Sequence, residues 1–250
     1  MKISTIALQS LTATTLLLAS LLSAQSASPK SYDCYRASKP LSIDGKLDEG
    51  AWKKAAWTDD FVDIEGDAKP KPRFRTRAKV LWDDEYLYIG AELEEPEIKA
   101  KLTEHDSVIF HDNDFELFIK PPTGTPGYYE FEINALNTSW DLFLNKPYLE
   151  GGKADNSWDI PGLKTAVSLK GTMNDPSDKD KGWSVEIAIP WTAFASRLPV
   201  EKPKPGTEWR LNFSRVEWKI GQKREDNWVW SPQGIVNMHV PEKWGYLRFR

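Results

Sequence analysis

Apolar and polar residues alternate with period two over most of the chain from residue 76 onward. Ala78, Val80 and Trp82 stand against Lys79 and Leu81; Tyr86 to Leu93 resumes the pattern after the polar turn Asp83-Asp84-Glu85, predicting a hairpin. The same reading predicts strands near 114–120, 128–135, 139–144, 164–170, 183–189, 208–217, 227–230 and 245–250. They are short and broken by Gly, Pro, Asn and Asp, which favours antiparallel sheets over alternating parallel βα units. The expected fold is all-β, a two-sheet antiparallel β-sandwich, jelly-roll-like, with short helical segments. One such segment runs from Lys46 to Ala55 after the Asp44-Gly45 turn, with Leu47, Ala51, Trp52 and Ala55 on one face, and is expected to pack Trp52 on a sheet. The stretch 201–206, EKPKPG, reads as a loop inside one domain.

Several strands carry a polar second face. Phe115, Leu117 and Ile119 oppose Asp114, Glu116 and Phe118; Phe131, Ile133 and Ala135 oppose Glu130, Glu132 and Asn134; Leu211 and Phe213 oppose Arg210, Asn212 and Ser214. Any antiparallel sheet with one solvated face shows such alternation. The clustering of Glu116, Glu132 and Asn134 adds something, because carboxylates on neighbouring strands are unfavourable without a ligand, a cation or an arginine between them. Arg215 is the expected neutralising partner, and hydrogen-bonding groups gathered on one face suit a polyhydroxylated ligand.

The N-terminus changes the setting. Lys2 precedes an apolar, small-residue stretch, 11–22, too short to span a bilayer and followed by Ser23-Ala24-Gln25-Ser26-Ala27, so residues 1–27 read as a secretory signal peptide and the protein as secreted or periplasmic. Residues 28–39 read as an extended leader and 40–250 as a single domain. Cys34 is the only cysteine in 250 residues, so no internal disulfide is available. A formal charge of −4 offers no basic field for nucleic acid. Twelve Trp, ten Phe and eight Tyr supply rigid aromatics for a core and for stacking on a flat ligand.

Four segments, LSIDGKLDEGAW (41–52), AKVLWDDEYLYIGAEL (78–93), DNDFELFI (112–119) and GWSVEIAIPW (182–191), followed by the closing WGYLRF (244–249), occur in the order found in family 9 carbohydrate-binding modules, and the chain resembles that family over 40–250. The resemblance implies sugar binding without catalysis, often with structural calcium. Family members clamp the sugar between two tryptophans, one before the D-x-x-E-x-F strand and one before the final strand. Here those positions fall at Phe110 and near Met238, so the clamp is altered; Glu116, Glu132 and Asn134 match the sugar-contacting strand positions, with Glu132 standing where some relatives carry a base. The expected ligand-binding set is Phe110, Glu116, Glu132, Asn134, Arg215, Met238 and His239. Asp112 and Asp114 are the expected residues for any calcium. Trp140 and Trp158 are expected in the core.

Two other functions stay open on these residues. His111 and Met238-His239 offer axial-ligand types for a non-covalent haem, since haem domains related to this family share its architecture. Glu116 and Glu132 are a conceivable glycosidase pair. No Ser/His/Asp motif, H-E-x-x-H or phosphate loop supports another enzyme class.

Overall fold

A computed structural model describes residues 28–219 and 223–250; the expected signal peptide lies outside the described residues. The strands are β1 (Ser31–Arg36), β2 (Val62–Asp63), β3 (Thr76–Trp82), β4 (Tyr86–Leu93), β5 (Asp114–Lys120), β6 (Tyr128–Asn134), β7 (Ser139–Leu144), β8 (Ala154–Asp155), β9 (Lys164–Lys170), β10 (Gly182–Pro190), β11 (Glu208–Glu217), β12 (Asp226–Val229) and β13 (Gly245–Phe249). The helices are α1 (Gly50–Lys54) and α2 (Trp191–Phe194). The described residues are thus nearly all-β. The strands form one curled sheet ordered β8-β7-β6-β5-β11-β13-β1-β3-β4-β10-β9, with β12 and β2 branching from β11.

The pairing is antiparallel except at β1, which runs parallel to β13 on one side and to β3 on the other. An all-antiparallel sheet and an unpaired leader were expected; instead the leader is the strand that joins the two halves of the sheet. Tyr32 and Cys34 point inward while Ser31 and Asp33 point out. Cys34 is fully buried, which pushes its thiol pKa up and removes it from any disulfide with another chain while the protein is folded.

The curl brings the apolar faces of both halves together. Phe115, Leu117, Phe131, Leu211 and Phe213 from one half pack with Val80, Ile89, Val185 and Ile187 from the other. Phe115 and Phe213 stack at 5.5 Å, and Trp82 meets Phe249 edge-on at 5.6 Å. Trp158 lies in this core, as expected.

On the outer face of β4 and β10, α1 and the turn before it form a lid. Trp52 is fully buried against Leu81, Tyr88 and Ala188. Its indole N–H donates to Glu186 Oε1 at 2.7 Å, while Oε2 accepts the backbone N–H groups of Asp44 and Gly45, each at 2.8 Å. The Asp44-Gly45 turn is thus held on a carboxylate as expected, while the helix is shorter than the expected 46–55 and runs only over Gly50–Lys54. Gly45 has φ +85°, and a Cβ there would come within 2.6 Å of the Val167 backbone. Glu186→Ala strands three donors and is expected to cost about 2 kcal/mol in urea unfolding; a loss below about 0.5 kcal/mol would show that water replaces the carboxylate.

Candidate functional site

The second face of β5, β6 and β11 forms the floor of a cleft. The ladder sets Glu116 directly between Glu132 and Ser214, and Phe118 between Glu130 and Asn212. This face was expected to be solvated; loops cover it instead, and Asp114 (0%), Glu116 (4%), Glu130 (5%) and Glu132 (1%) are all buried. Beside them Phe118, Tyr128, Leu142, Val229, Met238 and Trp244 form a second apolar cluster that closes one end. What remains open is a cleft of about 470 Å³ lined by Glu116, Glu130 and Glu132 below and by aromatic side chains above.

One wall is Phe110, on a short 3-10 turn at Ile109–His111, with Trp140 of β7 beside it at 6.3 Å. The Glu132 carboxylate accepts the Phe110 backbone N–H at 3.0 Å, and the Trp218 indole N–H donates to the Phe110 carbonyl at 2.7 Å, so the wall is anchored to the floor and to the loop opposite. The other wall is His239, edge-on to Tyr148 at 4.5 Å and to Phe118 at 5.7 Å. His239 Nδ1 shares a hydrogen bond with the Tyr128 hydroxyl at 2.8 Å. Phe110 (36%), Tyr148 (45%) and Val236 (66%) expose apolar surface at the rim.

The floor is electrostatically unusual. Burial raises the pKa of Glu116 to about 7, with Glu225 adding to the rise. Burial, and then Glu116 as a charged neighbour, push Glu130, Glu132 and Asp114 well above the ordinary carboxylate range. Asp114 Oδ2, Glu116 Oε2 and Glu130 Oε2 are buried without a hydrogen-bond partner in the protein. Burial also lowers the His239 pKa to about 4, so the ring is neutral near pH 7. Among the described residues no Lys or Arg lines the cleft.

Of the residues singled out from the sequence, Phe110, Glu116, Glu132, Met238 and His239 meet in this cleft. Two do not. Arg215 shares the parity of Leu211 and Phe213, points away from the floor, and is held by Glu95 at 2.8 Å and Glu217 at 2.7 Å. Asn134 spends its whole amide locally: Oδ1 accepts the N–H groups of Leu136 and Thr138, and Nδ2 donates to Leu102 O and Asp112 Oδ2. Trp140, expected in the core, lines the cleft. Sequence reasoning missed Glu130 and Tyr148 as cleft residues. Glu130 was signalled by its parity with Glu132; Tyr148 lies in a connection without periodicity.

Asp112 and Asp114, the pair expected for any calcium, are placed differently: Asp114 lies in a carboxylate cluster that does not include Asp112. Asp112 Oδ2 already accepts the N–H groups of Lys101 and Leu102 as well as the Asn134 amide. Oxygen atoms of Asp114, Glu116 and Glu132 do converge, within 4.8 Å of one another, and a separate group joins His105, Asp106, Asp141 and Asp159 outside the cleft. The haem reading is not favoured here: an apolar macrocycle in this cleft would cover buried Glu116, Glu130 and Glu132, His239 is already engaged by Tyr128, and His111 is not part of the lining. Nor do Glu116 and Glu132 sit on opposite sides of a gap, as a glycosidase pair flanking a bond would; they are directly opposed neighbours on one floor.

An aromatic-walled cleft over a polar floor, carried on a rigid β scaffold, is the organisation of a small-ligand binding module. The chain matches the Carbohydrate family 9 binding domain-like family over residues 43–250 and belongs to that family. It is 30% identical over 157 residues to the exoglucanase XynX of Acetivibrio thermocellus, covering 61% of this chain and 12% of that protein. It is 26% identical over 211 residues to endo-1,4-beta-xylanase A of Thermotoga maritima, covering 82% of this chain and 16% of that protein. The chain therefore spans less than a fifth of the length of these curated relatives. In three dimensions it is similar to a Bacteroides uniformis protein, with a TM-score of 0.68 and 18% identity over 89% of this chain and 100% of that one. It is also similar to a family 9 carbohydrate binding module of Caldicellulosiruptor kristjanssonii in complex with cellotriose, with a TM-score of 0.61 and 18% identity over 88% of this chain and 94% of that one.

Proposed function

We propose that residues 40–250 form a secreted, non-catalytic carbohydrate-binding domain that takes a sugar in the cleft between Phe110 and Trp140 on one side and Tyr148 and His239 on the other. The two halves of the curled sheet are the two layers of a jelly-roll-like sandwich, and the cleft opens on the outer face of one layer. The observation that carries the reading is the pairing of exposed aromatic walls with buried, partly unpaired oxygen acceptors beneath them. Aromatic faces pack on the C–H face of a pyranose while carboxyl groups accept from its hydroxyls. Family membership supports the same reading, as does the cellotriose bound by a protein of similar fold. Met238, nearly buried, backs the His239 wall and contributes less directly.

The relatives that contain such a segment include xylanases, so the domain supports polysaccharide capture beside a glycoside hydrolase, carried on the same chain or acting separately. No helix among the described residues is long and apolar enough to cross a membrane.

Calorimetric titration against a panel of neutral, amino and acidic oligosaccharides tests the proposal. At least one sugar binds saturably, and Phe110→Ala weakens that binding by about 1–3 kcal/mol, the usual cost of losing an aromatic contact at the centre of a site. Heat from no sugar would end the proposal, and an unchanged affinity in Phe110→Ala would move the site elsewhere.

A further inference from the structure

We propose that the sugar taken by this cleft carries a protonated amine, an amino-sugar unit of the glucosamine type, with its ammonium group seated on Glu116 and Glu132, Asp114 beneath them and Glu130 beside them. The inference rests on the reading of the cleft as a saccharide site and names the class of saccharide.

The carboxylate spacing fits an ammonium group. One carboxylate oxygen from each of Asp114, Glu116 and Glu132 lies within 4.8 Å of the others. An ammonium donating three N–H bonds at roughly 2.8 Å places its acceptors about 4.6 Å apart, so the triad is the size that such a group requires. Buried oxygens are also available: Asp114 Oδ2, Glu116 Oε2 and Glu130 Oε2 have no hydrogen-bond partner in the protein, the neutral His239 ring standing 4.0 Å from Glu130 Oε2, and Glu116 and Glu130 line the cleft itself.

Charge balance points the same way. Buried Glu116, Glu130 and Glu132 face the cleft with Asp114 buried beneath them, and no lining side chain among the described residues is Lys or Arg. The buried guanidinium of Arg215 is held by Glu95 and Glu217. His239 is neutral. A neutral sugar offers hydroxyl dipoles to these acids but no charge, so they would stay protonated or repel one another beneath it. An ammonium group cancels one charge and donates to several oxygens together.

The walls distinguish an amine from a metal ion. Calcium takes six to eight oxygen ligands; Glu225, Asn227 and Asn237 add side-chain oxygens to the lining, but Phe110, Trp140 and Tyr148 also line it and offer apolar ring faces that a bare ion does not use. Ring faces stack on a sugar and also attract an organic cation. Aromatic walls over an anionic floor match a ligand with an apolar ring face and a cationic substituent.

Binding then has a proton signature. A floor carboxyl that holds its proton in the free protein gives it to solvent as the ammonium arrives, the amine keeping its own. Equal-length oligomers of glucosamine, N-acetylglucosamine and glucose, titrated calorimetrically into the full chain at about pH 6, where the amine arrives protonated, in two buffers of different ionisation heat, test this. The glucosamine oligomer is expected to bind at least about tenfold tighter than the other two, with net proton release that the neutral oligomers do not show. Glu116→Gln combined with Glu132→Gln, which keeps side-chain size, removes both the preference and the proton release. Equal or tighter binding of the glucose or N-acetylglucosamine oligomer would overturn the amine proposal and leave the saccharide reading standing. Heat from no oligomer would overturn both. Equal binding by spermidine, which has amines and no ring, or tight calcium binding lost in the double variant with no glucosamine preference in the wild type, would assign the floor to a different cation and overturn the proposal.

Discussion

Arg215→Leu is expected to lower the unfolding free energy by about 3–5 kcal/mol, the usual result of removing one partner from a buried ion pair. The Arg215 side chain is 1% exposed, and its guanidinium donates to Glu217 and Glu95, to the Thr76 hydroxyl at 3.1 Å and to the Glu94 carbonyl at 2.8 Å. Trp228 lies 5.1 Å from it on a flanking side. These contacts tie β11 to β3 and to the end of β4, so the residue couples the two halves of the curled sheet. Burial raises the Glu217 pKa to about 7 even though Arg215 pulls it down; without the guanidinium, the nearest cation to these two buried carboxyl groups is Arg73, 3.9 Å from Glu217, and Glu95 keeps only the Asn113 amide and the Glu97 N–H. Arg215→Lys keeps the charge but loses the fork and should fall between wild type and Leu. Urea denaturation provides the measurement. A loss under about 1 kcal/mol for Leu would mean that the pair is close to neutral for stability.

Glu116→Gln is expected to act in the opposite direction, raising stability by up to about 3 kcal/mol near pH 8 and by little near pH 5. The folded-state pKa of Glu116, about 7, lies above its ordinary 4.5. A raised carboxyl pKa means that the folded state binds the proton more tightly than the unfolded state. The contribution to stability is therefore fully present below the unfolded value and is lost as pH rises through the folded one. Glu132, Glu130, Asp114 and Glu225 face the same group and push in the same direction. His239, with its pKa lowered to about 4, works against them, since its stability contribution is present above its unfolded value of 6.5 and is lost as pH falls through about 4. The whole-protein profile blends both effects, so the informative quantity is the difference in thermal unfolding between variant and wild type across pH. A constant difference would mean that Glu116 is solvated in the folded protein.

Much of the scaffold was legible because period-two alternation is a local signal. The strands from β3 to β7 and from β9 to β11 fall where the pattern puts them, and Trp52 sits on the sheet as the spacing of Leu47, Ala51 and Trp52 suggested. β1 was missed as a strand although Tyr32 and Cys34 alternate correctly, because a six-residue polar segment gives no sign of the parallel neighbours that stabilise it. Parity gathered Glu116, Glu130 and Glu132 on one face, but it carries no information about what covers a face. The burial of that floor depends on connections around Phe110, Tyr148 and His239 that are distant in sequence. Arg215 is a simpler case: its parity with Leu211 and Phe213 turns it inward, away from the Glu116 charge it was expected to neutralise, and its partners are Glu95 and Glu217. Asn134 illustrates the remaining difficulty, since a polar strand residue can serve its own turn as fully as it could serve a ligand.

The sugar site proposed here is the cleft between Phe110 and His239. Amide and indole correlation spectra of the isotopically labelled protein, recorded while glucosamine and glucose oligomers are added in turn, test it most directly. The account predicts shifts concentrated on the Trp140 indole and on the backbone amides of Phe110, Tyr148 and His239, larger with the amino sugar. Shifts confined to β9, β10 and the α1 lid, or none with either sugar, would contradict it.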